Sequence, residues 1–313
     1  MKQSTGGRRR TKRQKVGIAL IVVLAILVVL ALALGLWLAG VTMTGRRQTL
    51  DEARAWQAER YDLSFYDAAE KTDYTVPSYD GYELHVQLLR SPQASGNYVI
   101  ISHGYTDNRF GALKYARFYL EQGWNCVIYD LRGHGENAPT FTSYGIREGQ
   151  DIAALVQDTR SRYPDLIRLG LHGESLGAAS TISSLQYRPQ VDFAVADCGF
   201  SDIENVLRGG FRSAHLPGFV FRLADLGAKL RFGYFLSAMR PIDALDENEV
   251  PILFVHGADD GFILPKNSQD MAARTKGYQE LHLIAGAGHA ESALVAPEEY
   301  RSILTEFLNK YSD

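Results

Sequence analysis

The longest feature of the hydropathy pattern comes first along the chain: across residues 16–41 no side chain is charged or strongly polar. At about 1.5 Å per residue this run exceeds the roughly 20 residues that span a bilayer, and it predicts one transmembrane helix. Ala31-Leu32-Ala33 resembles a small-residue cleavage site. A cleaved signal peptide, however, has an apolar core of only about 7 to 15 residues, and here apolar sequence continues past that point, so an uncleaved anchor is expected. Residues 49–70 mix apolar and charged positions at helical spacing, as in Leu50, Ala53, Trp56 and Tyr61, which reads as a juxtamembrane helix or stalk over 42–71. Residues 74–76 and 84–88 alternate around Asp80-Gly81, a β-hairpin pattern.

A regular rhythm follows. Short apolar runs at 98–102, 126–130, 166–171, 193–197, 252–256 and 281–284 alternate with helix-patterned segments at 112–122, 150–162, 176–187 and 266–276. Strands that are apolar throughout are buried on both faces, so the rhythm predicts a parallel sheet covered by helices. The longest interruption, 201–245, holds aromatics, prolines and glycines without a clear strand, and is expected to be a lid.

Charge sharpens the reading of the first segment. Lys2, Arg8, Arg9, Arg10, Lys12, Arg13 and Lys15 form a basic tail over 1–15 with no acid in it. Set against Arg46 and Arg47 on the far side of the apolar run, this asymmetry predicts a cytoplasmic N-terminus and an extracytoplasmic remainder at the cell membrane. Without those seven, 26 of the 33 basic residues face 36 acidic ones, which argues against a nucleic-acid partner. The two cysteines, Cys126 and Cys198, have no metal-ligand spacing and lie in or beside apolar runs, as small buried hydrophobes do. No metal or other cofactor is implied.

Gly173-Glu174-Ser175-Leu176-Gly177 lies between an expected strand and an expected helix, the context of a nucleophile elbow that lifts a serine oxygen above a sheet. A serine hydroxyl is a weak nucleophile near neutral pH. It needs a base to take its proton and a carboxylate to hold that base in the right tautomer. In elbow folds the order is serine, acid, histidine. Of the four histidines after Ser175, His215 falls in the expected lid, His256 closes a strand and His282 lies within one. His289, in a glycine-rich loop after the last strand, is the expected base, and Asp259 or Asp260, in the loop after His256, the expected acid. Backbone N–H groups of Tyr105, in the loop after the 98–102 strand, and of Leu176 are the expected oxyanion donors. His103 precedes the serine and is expected to have a structural role in its loop.

Taken together these segments resemble the α/β-hydrolase superfamily. His103-Gly-Tyr-Thr-Asp-Asn is similar to its oxyanion loop, and Asp130-Leu-Arg-Gly-His-Gly-Glu to the turn after its fourth strand. The 173–177 elbow, His256-Gly-x-x-Asp260-x-x-Ile263 and Gly286-x-Gly-His289 follow in the family's order, over about residues 72–312. Among subfamilies the chain most resembles the bacterial Bem46/YqkD-like hydrolases, which frequently carry an N-terminal membrane segment. It departs from their acid-loop pattern in that Pro265 comes a residue late.

The resemblance implies an α/β-hydrolase fold over 72–313: a mostly parallel eight-stranded sheet with helices on both faces and a short helical lid. It implies a Ser175–His289–Asp260 triad cleaving carboxylic esters through an acyl-enzyme, and purely structural roles for Asp130, Arg132 and His134. The implied strand order puts the strands bearing Cys126 and Cys198 three positions apart, about 14 Å at roughly 4.8 Å per strand, too far for a disulfide. Phe211, Leu216, Phe219, Phe221, Leu223, Leu226 and Phe232 either line an apolar acyl site or pack the lid onto the core. Fold and triad leave open a peptidase, a thioesterase or a lipase with a small-molecule acyl substrate, or a silent binding protein.

Overall fold

A computed structural model describes residues 11–93 and 95–310 of the 313-residue chain, so the basic tail over 1–10 lies outside the described residues. Three helices precede the sheet: α1 (Lys12–Met43), α2 (Leu50–Ala58) and α3 (Ser64–Ala68). The hairpin is β1 (Lys71–Pro77) and β2 (Glu83–Leu89). Then come β3 (Asn97–Ser102), α4 (Leu113–Glu121), β4 (Asn125–Tyr129), α5 (Ile146–Arg162), β5 (Arg168–Glu174), α6 (Leu176–Ser184) and β6 (Phe193–Asp197). The chain ends with α7 (Ile203–Ser213), α8 (Phe219–Phe232), β7 (Ile252–Gly257), α9 (Lys266–Arg274), β8 (Gln279–Ile284), α10 (Ser292–Val295) and α11 (Pro297–Lys310).

The strands form one sheet in the order β1-β2-β4-β3-β5-β6-β7-β8, with β2 antiparallel to both its neighbours and every other pair parallel. Alternation along each central strand feeds two cores. Ile100, Val127, Leu171, Ala196 and Phe254 pack beneath α5, α6, α8 and α9. Their neighbours Ile101, Ile128, Val195 and Val255 pack beneath α4 and α11. Cys126 and Cys198 are free and buried.

Two boundaries moved for local reasons. Helix α5 starts at Ile146 rather than 150, because Gly145 adopts a positive φ of 110° and its N–H donates to Glu148 Oε2 at 3.0 Å. The 176–187 helix tightens into a 3₁₀ turn over Leu185–Tyr187. The segment expected as a stalk lies folded onto the body: Ala53 and Gln57 of α2 are buried, and Gln57 donates to Asp107 Oδ2 at 3.1 Å. The residues that look juxtamembrane in sequence carry the contacts of a packed element.

Helix α1 is the one described helix long and apolar enough to cross a membrane. Its last turns are not free. Gly35, Ala39, Gly40 and Met43 are buried, and a methyl group added at Gly35 would collide with the Leu223 carbonyl of α8.

Candidate active site

The parallel strands point their carboxyl ends at one rim, where loops gather the candidate residues. Ser175 stands between β5 and α6 with φ 52° and ψ −110°, a region that a side chain enters only under strain. Two close approaches make that turn possible. A side chain at Gly173 would strike the backbone of Gly177, and one at Gly177 would strike the carbonyls of Ser102 and His103.

The loop after β8 brings His289 Nε2 to 3.0 Å from Ser175 Oγ, and His289 Nδ1 lies 2.7 Å from Asp260 Oδ2. Asp260 is buried while Asp259 is exposed, so of the two neighbouring carboxylates Asp260 is the one at the imidazole. Backbone N–H groups of Phe262 and Ile263 each donate to Asp260 Oδ1 at 2.9 Å. Burial raises the Asp260 pKa, but hydrogen bonds from His256 and His289 outweigh it and hold the carboxylate well below its usual range.

Sequence reasoning missed His256 as a partner of the acid. It is fully buried, with Nε2 2.7 Å from the Ile263 carbonyl and 3.2 Å from Asp260 Oδ2, and Nδ1 2.7 Å from Ser268 Oγ. The four-residue spacing from His256 to Asp260 was the available signal. His215 lies in the turn after α7, and His282 faces Glu280 on the edge strand at 3.3 Å.

Leu176 opens α6, so its N–H is among those with no partner inside the helix. Tyr105 is fastened from three sides. His134 Nε2 lies 2.6 Å from the Tyr105 carbonyl, the Tyr105 hydroxyl donates to the Thr42 carbonyl at 2.8 Å, and the Gly45 N–H donates to that hydroxyl at 3.0 Å. His103 Nε2 accepts the Leu131 N–H at 2.9 Å, so the 130–136 turn braces the 103–105 loop. Burial first, then the Arg47 charge, pushes His134 down to about 4, which leaves it neutral near pH 7. Asp130 accepts from Arg109 at 2.6 Å, and Arg132 pairs with buried Asp151.

Around Ser175 lies a cavity of about 470 Å³. Its apolar side is Tyr144, Phe200, Ile203, Val206 and Leu207. None of the seven apolar lid residues named from the sequence lines it; Phe221 is buried in the core, whereas Leu216, Phe219 and Leu226 are exposed. The polar side holds Arg60, Asp107, Lys114 and Glu174, with Trp56 beside them. Lys114 pairs with Glu174, and burial followed by the Glu174 charge raises Asp107 to about 6. Trp56 and Arg60 come from the juxtamembrane segment, which showed no chemistry in sequence because their neighbours are far along the chain. Among the described residues, no cluster of three His, Cys, Asp or Glu is arranged to hold a metal ion.

The same organisation recurs elsewhere. The Bacillus subtilis protein YqkD is 32% identical over 252 residues, covering 79% of this chain and 82% of its own. Human alpha/beta hydrolase domain-containing protein 17C is 26% identical over 268 residues, covering 83% and 71%. The solved Pyrococcus furiosus esterase Pf2001 superposes with a TM-score of 0.66 at 24% identity, over 80% of this chain and 94% of that one. Est1E from Butyrivibrio proteoclasticus, with ferulic acid bound, gives 0.62 at 20% identity, over 76% and 99%; both share the fold. Residues 99–303 match the model of the alpha/beta hydrolase family. With that match and the YqkD relative, the chain belongs to the alpha/beta hydrolase family, among its YqkD-type members.

Proposed function

We propose that the protein is a membrane-anchored serine hydrolase that cleaves carboxylic esters through an acyl-enzyme. The observation that carries this reading is the continuous relay from Ser175 Oγ through His289 to Asp260, with links of 3.0 and 2.7 Å. In the first step His289 Nε2 takes the Ser175 proton as Oγ attacks the ester carbonyl. Asp260, kept ionised by its donors, holds Nδ1–H and steadies the imidazolium. The oxyanion forms against the N–H groups of Tyr105 and Leu176, which are fixed before the charge develops. His289 then returns the proton to the leaving alcohol, and water repeats the cycle on the acyl-enzyme.

The esterases among the solved neighbours support ester rather than amide cleavage. The apolar wall of Phe200, Ile203, Val206 and Leu207 suits an acyl chain, and the charged wall suits a polar leaving group. Helix α1 is read as the anchor, with its basic N-terminal side in the cytoplasm and the hydrolase domain outside. Turnover of p-nitrophenyl esters of graded chain length tests the reading. A maximum at an intermediate length is expected, and absence of turnover at every length would refute it.

A further inference from the structure

Helix α8 exposes an unusual stripe. Phe219, Arg222, Leu226, Lys229 and Leu230 recur at helical spacing and are all exposed, the three apolar ones at 61%, 42% and 60%. A water-facing helix surface is normally polar; this one has large apolar groups interleaved with cations and no acid. The turn before α8 adds exposed Leu216. Such a mixture suits a helix end that dips into a membrane surface, its apolar groups entering the acyl boundary while its cations reach anionic headgroups.

The stripe is continuous with α1. Leu223 and Gly227 pack against Gly35, and Arg231 packs against Gly40 and donates to the Leu36 carbonyl at 3.2 Å. The two helices therefore run in the same direction, and the α8 end bearing Phe219 lies deeper along α1 than Arg231 does. The apolar run 16–41 extends about 39 Å at about 1.5 Å per residue, roughly 9 Å more than a hydrocarbon core of about 30 Å. Lys12, Arg13 and Lys15 keep one boundary near Val16, so about 20 residues carry the helix to Gly35 at the other. The Arg231 guanidinium beside Leu36 and Gly40 fits that boundary, since a cation there would be costly inside hydrocarbon. Within the surplus from Leu36 to Val41, Ala39 and Gly40 are buried against the domain while Trp37 and Val41 stay exposed.

The geometry points to a second membrane contact: the turn between α7 and α8 dips into the bilayer that α1 crosses, with Phe219 in the acyl boundary and Arg222 and Lys229 among anionic headgroups. This rests on the reading of α1 as a spanning helix. The acyl wall of the cavity comes largely from α7 and the loop before it, so this contact sets the apolar side of the cavity beside the lipid surface.

The test uses the full-length protein in phosphatidylcholine–phosphatidylglycerol vesicles, with an environment-sensitive fluorophore on F219C, L230C, V28C or Q190C. Cys126 and Cys198 stay unlabelled, because both thiols are buried and burial raises their pKa. Brominated lipids should quench the label at 28 strongly, at 219 clearly and at 230 less, while the label at 190, before the amino end of β6 and so at the end of the strands away from the Ser175 rim, responds only to aqueous iodide. Arg222→Glu with Lys229→Glu should weaken the lipid quenching at 219 several-fold. Quenching at 28 but only iodide quenching at 219 overturns the second contact and leaves the anchor standing. A label at 219 shielded from both quenchers means that a protein surface, such as a second copy, covers it, and also overturns the proposal. Loss of lipid quenching at both 28 and 219 removes the anchor and the second contact together.

Discussion

His289 is held by Asp260, and Asp260 in turn by two backbone N–H groups and His256, so the carboxylate is fixed and ionised before any substrate arrives. Ser175→Ala and His289→Ala should each lower turnover roughly 10³-fold or more, with Asp260→Asn somewhat milder. Steady-state kinetics on a soluble ester check this, and Asp259→Asn should be nearly silent. Behind the elbow, Asp197 is fully buried, with its Oδ2 3.0 Å from a Tyr115 hydroxyl that it shares with Glu174. Burial first, then the Glu174 charge, raises its pKa to about 6. A carboxyl whose folded pKa is raised favours folding while protonated and costs stability as it ionises. Stability contributed at low pH is therefore lost as pH climbs from about 4 to beyond about 6, on the order of 3 kcal/mol. Asp197→Asn should raise the thermal midpoint relative to wild type at pH 8 and much less at pH 4; equal shifts at both would remove this explanation.

At the level of elements, the elbow depends on helix α6 touching the β3 loop. Gly177→Ala places a methyl group against the Ser102 carbonyl, and should cost about 2 to 3 kcal/mol of stability together with most of the activity. Chemical denaturation alongside turnover measures both. The sheet was legible in the chain because its strands are continuous apolar runs between glycine-rich loops, and the order of the five motifs carried the topology. Helix α11 shows the same legibility after the fact: Tyr300, Ile303, Leu304, Phe307 and Leu308 repeat at helical spacing, beyond the last segment assigned from the pattern. Trp56, Arg60 and the His256 contact could not be read in this way. Their roles depend on which surfaces meet, and local periodicity carries no information about that. Of the two readings of the lid aromatics, packing onto the core holds for Phe211, Phe221 and Phe232 while Phe219 is exposed, a choice the sequence left open because apolar side chains bound for core, cavity or lipid look alike.

Across the whole molecule, the N-terminal helix is tied to the loop that carries Tyr105. Thr42 accepts from the Tyr105 hydroxyl at 2.8 Å, and its carbonyl also accepts from Tyr144, while the Gln48 N–H donates to the Thr106 carbonyl at 2.8 Å. Removing residues 1–48 should strip these restraints from the oxyanion loop and lower kcat/KM on a water-soluble ester by about tenfold. If the truncated protein matches the full chain in that assay, the helix is a tether alone. Protease added to intact spheroplasts should digest the hydrolase domain; protection until the membrane is broken would reverse the orientation. The decisive test concerns the serine itself. The full-length protein in detergent is treated with a fluorophosphonate, and the adduct is located by peptide mass spectrometry. A single adduct on Ser175, lost in His289→Ala, is expected; an unmodified wild-type chain, or an adduct on another residue, would contradict a serine hydrolase built on this relay.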